Sequence, residues 1–281
     1  MLDIPPILYT FWSGDEMGPL VRRCIDSMRR WYPVVVLNDN DLPDEIRKGN
    51  WSPEIRSDYA RISALASTGG VWMDASSFVF DDAWTSRALE LPSNTQVIGF
   101  RAPWDADVLE NWALAAPSGS VFMTLWRDEF ARALKEGPEN YCQRVKDQTP
   151  ASLHPSLPYL SCHAAAAVVR SEHPELHLHL SPSVPVGPFG VHELFQFEAA
   201  ATVMYILTQP ADRVYAVCGS FCKLRGVERN TADRIMATEG FVVHPDSIFQ
   251  CSNGMSLRYV ALLALAIVLV AWIMYKHAPA Q

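Results

Sequence analysis

One stretch, residues 54–80, constrains the fold most, because it joins a helical pattern to a glycine pair and a short apolar strand. An acid, a base and apolar residues recur in its first part at spacings of three and four, which predicts an amphipathic helix. Gly69 and Gly70 are typical of a helix end, since glycine adopts the left-handed conformation without steric cost. The apolar residues 71–73 then predict a buried strand ending on Asp74, at the edge where open α/β sheets bind ligands.

The residues before this stretch supply neighbouring strands. Residues 7–11 and the β-branched run 34–37 predict two strands, and residues 15–31 between them predict a helix. Alternation of strands and helices within the first 75 residues indicates an α/β sheet. A further strand is expected at 95–100 and a short strand or turn at 111–116, followed by a helix from about 120 to 136.

The later sequence is less regular. Residues 159–170 and 193–206 predict helices because they are rich in alanine and contain few helix-breaking residues. The alternation around residues 177–180 predicts a strand with two histidines on one face, rather than a metal site. A late strand is expected at 241–250.

Composition excludes several classes of protein. Hydrophobic residues make up 49% of the 281 residues and charged residues 19%, which is typical of a folded globular chain. The formal net charge of −8 and the lack of a basic stripe argue against a general nucleic-acid surface. The six scattered cysteines indicate ordinary thiols in a reducing compartment.

The last residues form a separate segment. No residue between 259 and 275 is charged, and basic residues flank this apolar run. As a helix it would span about 25 Å, at the short end for a bilayer. The alternative is a buried core helix. We expect a C-terminal transmembrane tail anchor at residues 256–281 and, because no signal-peptide pattern is present, a folded domain that faces the cytosol.

Four motifs resemble a known family. The pattern of SDYAR followed by GGVWMDASSFVF resembles the core of the capsular polysaccharide synthesis proteins, which are related to mannosyltransferase-like and toxin-type sugar transferases with a DxD motif. The stretches IPPILYTFWSG, VVVLNDND and ENWALAAPSGSVFMTLW fit the same family in the same order. The resemblance covers roughly residues 4–130.

This resemblance implies a GT-A-like, Rossmann-type nucleotide-binding sheet with helices on both faces. The expected domain at 1–255 has a nucleotide-sugar half at about 1–130 and an acceptor half at about 131–255, and the anchor follows at 256–281.

The resemblance also implies a metal site. The two carboxylates of a DxD motif hold Mn²⁺ or Mg²⁺ against the donor diphosphate, whose charge grows as the sugar leaves. Asp74 matches the first carboxylate, whereas Ser76 stands at the position of the second. The metal would therefore have one carboxylate fewer, with His244 and Asp246 as further candidate ligands.

The other candidate residues follow from the same family motifs. Asp74, Asn111 and Glu110 are the candidate catalytic residues. The candidates for donor binding are Tyr9, Thr10, Trp12, Asp58, Arg61, Gly70, Asp74 and Ser76. Aromatic packing explains Tyr9 and Trp12 equally well, and Asp58 with Arg61 also fits a simple helix ion pair. Asn111 fits a capping or turn residue equally well.

The sequence thus predicts a glycosyltransferase. It would move a sugar from a nucleotide-sugar donor to a glycan, polysaccharide or lipid-linked acceptor, with a divalent metal and with retention of configuration. Two alternatives remain: a catalytically degenerate, membrane-tethered transferase fold that acts as a binding or scaffold protein, and an anchored structural protein without a ligand. Ser76 motivates the first of these.

Overall fold

A computed structural model describes residues 2–14 and 16–250. The strands of this part are β1 Leu8–Phe11, β2 Val34–Leu37, β3 Gly70–Met73, β4 Ser77–Val79, β5 Thr95–Ala102, β6 Asp105–Leu109, β7 Ala113–Ala116, β8 His177–Ser181 and β9 Phe221–Lys223. The helices are α1 Pro19–Met28, α2 Asp44–Arg47, α3 Pro53–Thr68, α4 Ala83–Ser86, α5 Val121–Glu136, α6 Pro138–Arg144, α7 Ser161–Glu172, α8 Gly190–Leu194, α9 Ala199–Thr208, α10 Ala211–Cys218 and α11 Gly226–Met236. Four short 3₁₀ helices lie between them within the described residues.

The main sheet is mixed. Its order is β2-β1-β3-β7-β5-β6, and β8 also pairs with β5, which gives seven strands within the described residues. Strands β1, β2 and β3 run parallel, whereas β7 is antiparallel to β3 and to β5. The α/β class predicted from the sequence is therefore observed, with antiparallel strands added to the parallel β2-β1-β3 unit.

The parallel unit sets the position of the site. Because β1, β2 and β3 share one direction, the residues that follow them meet at one edge of the sheet. Asp74 comes directly after β3, and its backbone N–H donates to the Trp112 carbonyl at 2.8 Å, just before β7. This contact fixes the acid at the carboxyl edge of β3.

Helix α3 is bounded by strong local signals. The Ser52 hydroxyl accepts from the Ile55 N–H, and Pro53 occupies the first turn, where its missing N–H costs nothing. Gly69 ends the helix at φ +69° and Gly70 begins β3 at φ +103°. The chain therefore turns directly from the helix into the central strand.

Apolar side chains cover both faces of the sheet. Trp72 and Leu114 pack on one face with Trp126 and the other apolar side chains of α3, α5 and α7. Val71 and Ala113 point to the opposite face, where they pack with Met28 of α1. This alternation along β3 follows from the two-residue period of a strand and explains why the strand is buried throughout.

A second layer comes from the carboxy-terminal half. Strands β4 and β9 form a small antiparallel sheet in which Ser77 pairs with Lys223. Helices α8 to α11 pack around this sheet through a third apolar cluster that includes Phe78 and Cys222. The β4–β9 pairing brings residues near 223 beside the acid at the end of β3.

Most of the predicted elements are present, with two exceptions. The sequence pattern at 241–250 predicts a strand, but this segment has no regular secondary structure. Its His244 N–H donates to the Leu207 carbonyl, and the Asp246 carbonyl accepts from the Ala211 N–H. These backbone hydrogen bonds attach the segment to α9 and α10 instead of to a neighbouring strand. The predicted helix at 193–206 is also divided, because Gln196 and Phe197 have positive φ values.

The predicted transmembrane anchor requires a correction. Residues 256–281 lie outside the described residues, and no helix within 2–14 and 16–250 is long and apolar enough to cross a membrane. The longest helices there, α3 and α5, have 16 residues and carry several charges, whereas a bilayer core of about 30 Å requires about 20 apolar residues. The fold class that is supported is α/β with a mixed sheet. The transmembrane helix and the cytosol-facing, single-pass localisation are not supported.

Candidate active site

A cleft of about 520 Å³ opens at the carboxyl edge of β1 and β3. The first part of α3 forms one wall, and the segment between β6 and β7 lies beneath it. The start of α7 and the β9–α11 junction close the remaining sides. The cleft therefore gathers side chains from eight separate parts of the chain.

Asp74 lies in the cleft between two cations. Its Oδ1 accepts from Arg61 Nη2 at 2.7 Å and from the Trp72 ring N–H at 3.2 Å, and its Oδ2 accepts from Lys223 Nζ at 2.6 Å. Burial would raise the pKa of Asp74, but the charges and hydrogen bonds of Lys223 and Arg61 outweigh burial and hold this pKa well below its usual range. Asp74 is therefore a permanent anion in the folded protein.

Arg61 is almost completely buried, with 4% of its side chain exposed. Its guanidinium bridges Asp58, one helical turn earlier, and Asp74. It also lies 5.1 Å from the centre of the Trp72 ring, on which it stacks. The ion pair expected from the spacing of Asp58 and Arg61 is thus present, and it is extended to the acid at the end of β3.

Lys223 reaches the same acid from β9. Its ammonium group donates to Asp74 and, at 3.2 Å, to Ser76 Oγ, and it lies 5.9 Å from the centre of the Trp112 ring. The Ser76 hydroxyl in turn donates to the Leu224 carbonyl at 2.8 Å. Asp74 and Ser76 therefore lie together at the cleft, joined by the ammonium group of Lys223.

Asp58 differs from Asp74. Burial raises the pKa of its carboxyl, and the positive charge of Arg61 offsets this only in part. Its Oδ1 also accepts from Asn111 Nδ2 at 3.0 Å, and the same amide contacts Cys162 Sγ at 3.5 Å. Asn111 is thus oriented by α3 and α7 on the floor of the cleft.

Glu110 and His163 form a second polar pair in the cleft. The Glu110 carboxylate lies 3.8 Å from His163 Nε2, and both side chains are more than nine-tenths buried. Neither ring nitrogen of His163 has a hydrogen-bond partner among the described residues. The pair is available to a polar group that enters the cleft.

The β9–α11 junction adds two arginines. Arg225 is held by Glu228, which is fully buried and lies 3.5 Å from His192 Nε2. Arg229, one turn later, lies with its guanidinium 5.7 Å from the centre of the Trp12 ring. Because Glu228 neutralises Arg225, it is Arg229 that adds positive charge to this side of the cleft, which also holds Lys223.

The structure brings seven of the predicted residues to the cleft. They are Trp12, Asp58, Arg61, Asp74, Ser76, Glu110 and Asn111. Five others do not line it: Tyr9, Thr10, Gly70, His244 and Asp246. Tyr9 packs against α3 with its hydroxyl 3.1 Å from Thr68 Oγ1, and Thr10 is fully buried. The catalytic and binding roles of all twelve remain predictions.

Sequence reasoning missed Lys223, Arg229 and His163. The sequence CKLRGVER carries three basic residues around Gly226, the first residue of α11, and this cluster was a usable signal. Lys223 of this cluster contacts Asp74, which lies 149 residues earlier in the sequence. His163 lies in an alanine-rich helix and carries no local mark of function.

The residues around Asp74 do not fit a divalent metal well. A metal ion bound to Asp74 would lie close to the positive charges of both Arg61 and Lys223, which repel it. The motif offers a hydroxyl at Ser76 in place of a second carboxylate, and His244 and Asp246 are not at the cleft. No cluster of three or more His, Cys, Asp or Glu suited to a metal occurs in the described part of the chain. The requirement for Mn²⁺ or Mg²⁺ remains a prediction.

Comparison with family models supports the resemblance inferred from the sequence motifs. Residues 4–136 match the model of the family described as Capsular polysaccharide synthesis protein. The resemblance stated from the four motifs is thereby confirmed, and the family supports the predicted class of enzyme, a glycosyltransferase. None of the curated proteins matches the chain.

Two solved structures also show some likeness. The PaToxG glycosyltransferase is 11% identical, with a TM-score of 0.37 over 82% of this chain and 84% of that one. The glycosyltransferase GlyE of Streptococcus pneumoniae is 12% identical, with a TM-score of 0.40 over 80% of this chain and 55% of that one. At these TM-scores, neither likeness supports a conclusion about this chain.

Proposed function

Because residues 4–136 match the capsular polysaccharide synthesis family, we propose that this glycosyltransferase moves a sugar from a nucleotide-sugar donor to a glycan, polysaccharide or lipid-linked acceptor. One observation carries the proposal. Asp74 lies at the carboxyl edge of the sheet, inside a cleft of about 520 Å³, with a cation on each side. This volume lies within the usual range of roughly 300–1,000 Å³ for small-molecule sites.

The proposed reaction exchanges one bond for another. The bond between the anomeric carbon and a phosphate oxygen breaks, and its electron pair leaves with the nucleoside diphosphate. An acceptor hydroxyl oxygen forms the new bond to that carbon and gives up its proton. With retention of configuration, the departing phosphate oxygen lies on the same face as the acceptor and takes this proton. Positive groups fixed beside the diphosphate stabilise the charge that develops there.

Two side chains are proposed to act on the acceptor side. Asn111 is held by Asp58 and lies on the floor of the cleft, where its amide can orient a sugar hydroxyl. Glu110, beside His163, offers a carboxylate that accepts a hydrogen bond from such a hydroxyl. These positions support the roles inferred from the family motif.

The competing function is a binding or scaffold protein. Ser76 motivates it, because the usual second carboxylate is absent from the motif. A degenerate transferase of this kind binds a nucleotide sugar without turning it over, so binding and turnover must be measured separately.

A thermal-shift screen tests the proposal. We expect at least one sugar conjugate of UDP, GDP, CDP or dTDP to raise the melting temperature by several degrees, because ligand at about 100 times its Kd adds about 2.7 kcal/mol of stability. Each donor is screened with Mn²⁺ and with EDTA. ATP serves as the control for non-specific binding of nucleotides. The absence of any shift with the whole panel in both buffers would contradict a nucleotide-sugar site.

A further inference from the structure

We propose that Lys223 is the resident cation for the donor diphosphate, in the place against Asp74 that a divalent ion takes in a motif with two carboxylates. The inference rests on the proposed function and specifies how that site binds its substrate. Donor binding then requires the ammonium group of Lys223 and no added metal.

Lys223 is built into the fold rather than free on the surface. It is the last residue of β9, it pairs in register with Ser77 of β4, and it is 7% exposed. Its ammonium group carries three N–H donors, of which Asp74 and Ser76 take two. Because Lys223 lines the cleft, the third donor remains for an anion bound there.

The contacts of Asp74 show that Lys223 is not needed merely to pair this acid. Arg61 already donates to Oδ1 of Asp74 and is itself shared with Asp58. Burying a second cation at the other oxygen costs free energy unless a further anion compensates for it. Two carboxylates, Asp58 and Asp74, face the two cations Arg61 and Lys223, so no excess negative charge in this group repels a bound diphosphate.

Neighbouring residues extend the positive surface. Arg229 lies above the Trp12 ring, on the side of the cleft that also holds Lys223. It makes no ion pair with any residue in the described ranges. Lys223 and Arg229 therefore form a positively charged wall of the cleft. This wall complements a nucleoside diphosphate, which carries two to three negative charges.

The position of Ser76 fits the same interpretation. In place of a second carboxylate, the motif has a hydroxyl that accepts from Lys223 and donates to the Leu224 carbonyl. Ser76 therefore orients the ammonium group without adding negative charge.

In the transfer step, the electron pair of the broken carbon–oxygen bond stays on the phosphate oxygen, and the third N–H of Lys223 donates a hydrogen bond to that oxygen without transferring its proton.

Isothermal titration calorimetry tests the inference with UDP, GDP and inorganic pyrophosphate as probes, each in EDTA and in Mn²⁺. The wild-type protein is expected to bind at least one probe in EDTA, with an affinity that Mn²⁺ changes less than about threefold. Lys223→Met keeps the apolar stem and removes the charge, so it is expected to weaken binding at least tenfold, the loss typical of a hydrogen bond to a charged group. Lys135→Ala, at an exposed lysine on α5, is the control and should bind as the wild type does.

Three results would overturn the inference. The first is a wild-type affinity that is at least tenfold higher in Mn²⁺ than in EDTA. This comparison does not depend on the folding of any variant. The second is a folded Lys223→Met protein, checked by circular dichroism, with wild-type affinity. The third is the absence of binding of every probe in both buffers. The proposed function would fall as well only if the whole thermal-shift panel of nucleotide sugars also gave no shift, whereas the first two results would leave that function standing.

Discussion

Three carboxylates in or beside the cleft have shifted pKa values, and their surroundings explain the sign of each shift. The pKa of Asp74 is lowered by its two cations, and that of Asp58 is raised by burial. Burial opposes the ionisation of Glu228, but hydrogen bonds and charges from His192 and Arg225 outweigh it and lower its pKa from 4.5 to about 2. Glu228 in turn positions Arg225 at the rim of the cleft.

The lowered pKa of Glu228 predicts an acid-sensitive contribution to stability. The unfolded state binds a proton near pH 4.5 and the folded state only near pH 2, so the contribution is complete above pH 4.5 and is lost as the pH falls through 2. Its size is on the order of 3 kcal/mol. Urea unfolding of the wild type and Glu228→Gln between pH 7 and 2.5 measures it. The two free energies of unfolding should converge as the pH falls, and a constant difference would contradict the assignment.

Single residues of the site differ in how far the sequence predicts them. Asp74 and Ser76 are found from a local motif, because the end of a buried strand is visible in a few letters. The contact of Lys223 with Asp74 depends on strand pairing between β4 and β9, and no local pattern encodes that pairing. The sequence therefore indicates the acid of the cleft but not the cation beside it.

At the scale of elements, the turn between α3 and β3 determines where the acid lies. A Cβ at Gly70 would lie 2.8 Å from the Ile7 carbonyl oxygen and 3.0 Å from Ile7 Cγ2, and φ there is +103°. Gly70 thus allows β3 to lie against the chain that enters β1. Gly70 therefore affects the site through the path of the backbone. This role does not require Gly70 itself to line the cleft.

Gly70→Ala is expected to destabilise the protein by about 2–4 kcal/mol, since it combines a strained φ with a backbone clash. Gly119→Ala is the matched control, because Gly119 also has a positive φ, +74°, but a Cβ added there would meet no atom within 4 Å. Its cost should be about 1 kcal/mol. Equal losses in melting temperature for both variants would show that the close approach at Gly70 does not matter.

Elements with strong local signals were predicted well. The strand at 34–37 and the helices that begin near residues 53 and 121 agree with β2, α3 and α5, because apolar periodicity and capping are local properties. The segment 241–250 has strand-like composition, yet its backbone bonds to α9 and α10. The conformation of such a segment depends on the elements against which it packs, and the local sequence does not identify those elements.

At the scale of the whole molecule, the two halves of the chain build one cleft. Residues 4–136 match the family and supply Asp74, Arg61 and Asn111. The part beyond this match supplies Lys223 and Arg229 through β9 and α11. The segment that matches the family therefore supplies the acid and one cation of the cleft, and the remainder of the chain adds two further cations.

Donor turnover by the wild type and by Asp74→Asn tests the proposed function most directly. The substrate is the nucleotide sugar that gives the largest thermal shift, and released nucleoside diphosphate is measured with its acceptor or with water. Asp128→Asn, which removes one exposed carboxylate from α5, is the control. We predict that Asp74→Asn lowers kcat/KM by about 100-fold or more while Asp128→Asn leaves it unchanged. A folded Asp74→Asn protein that turns over the donor at the wild-type rate would contradict the assignment of this cleft as the active site.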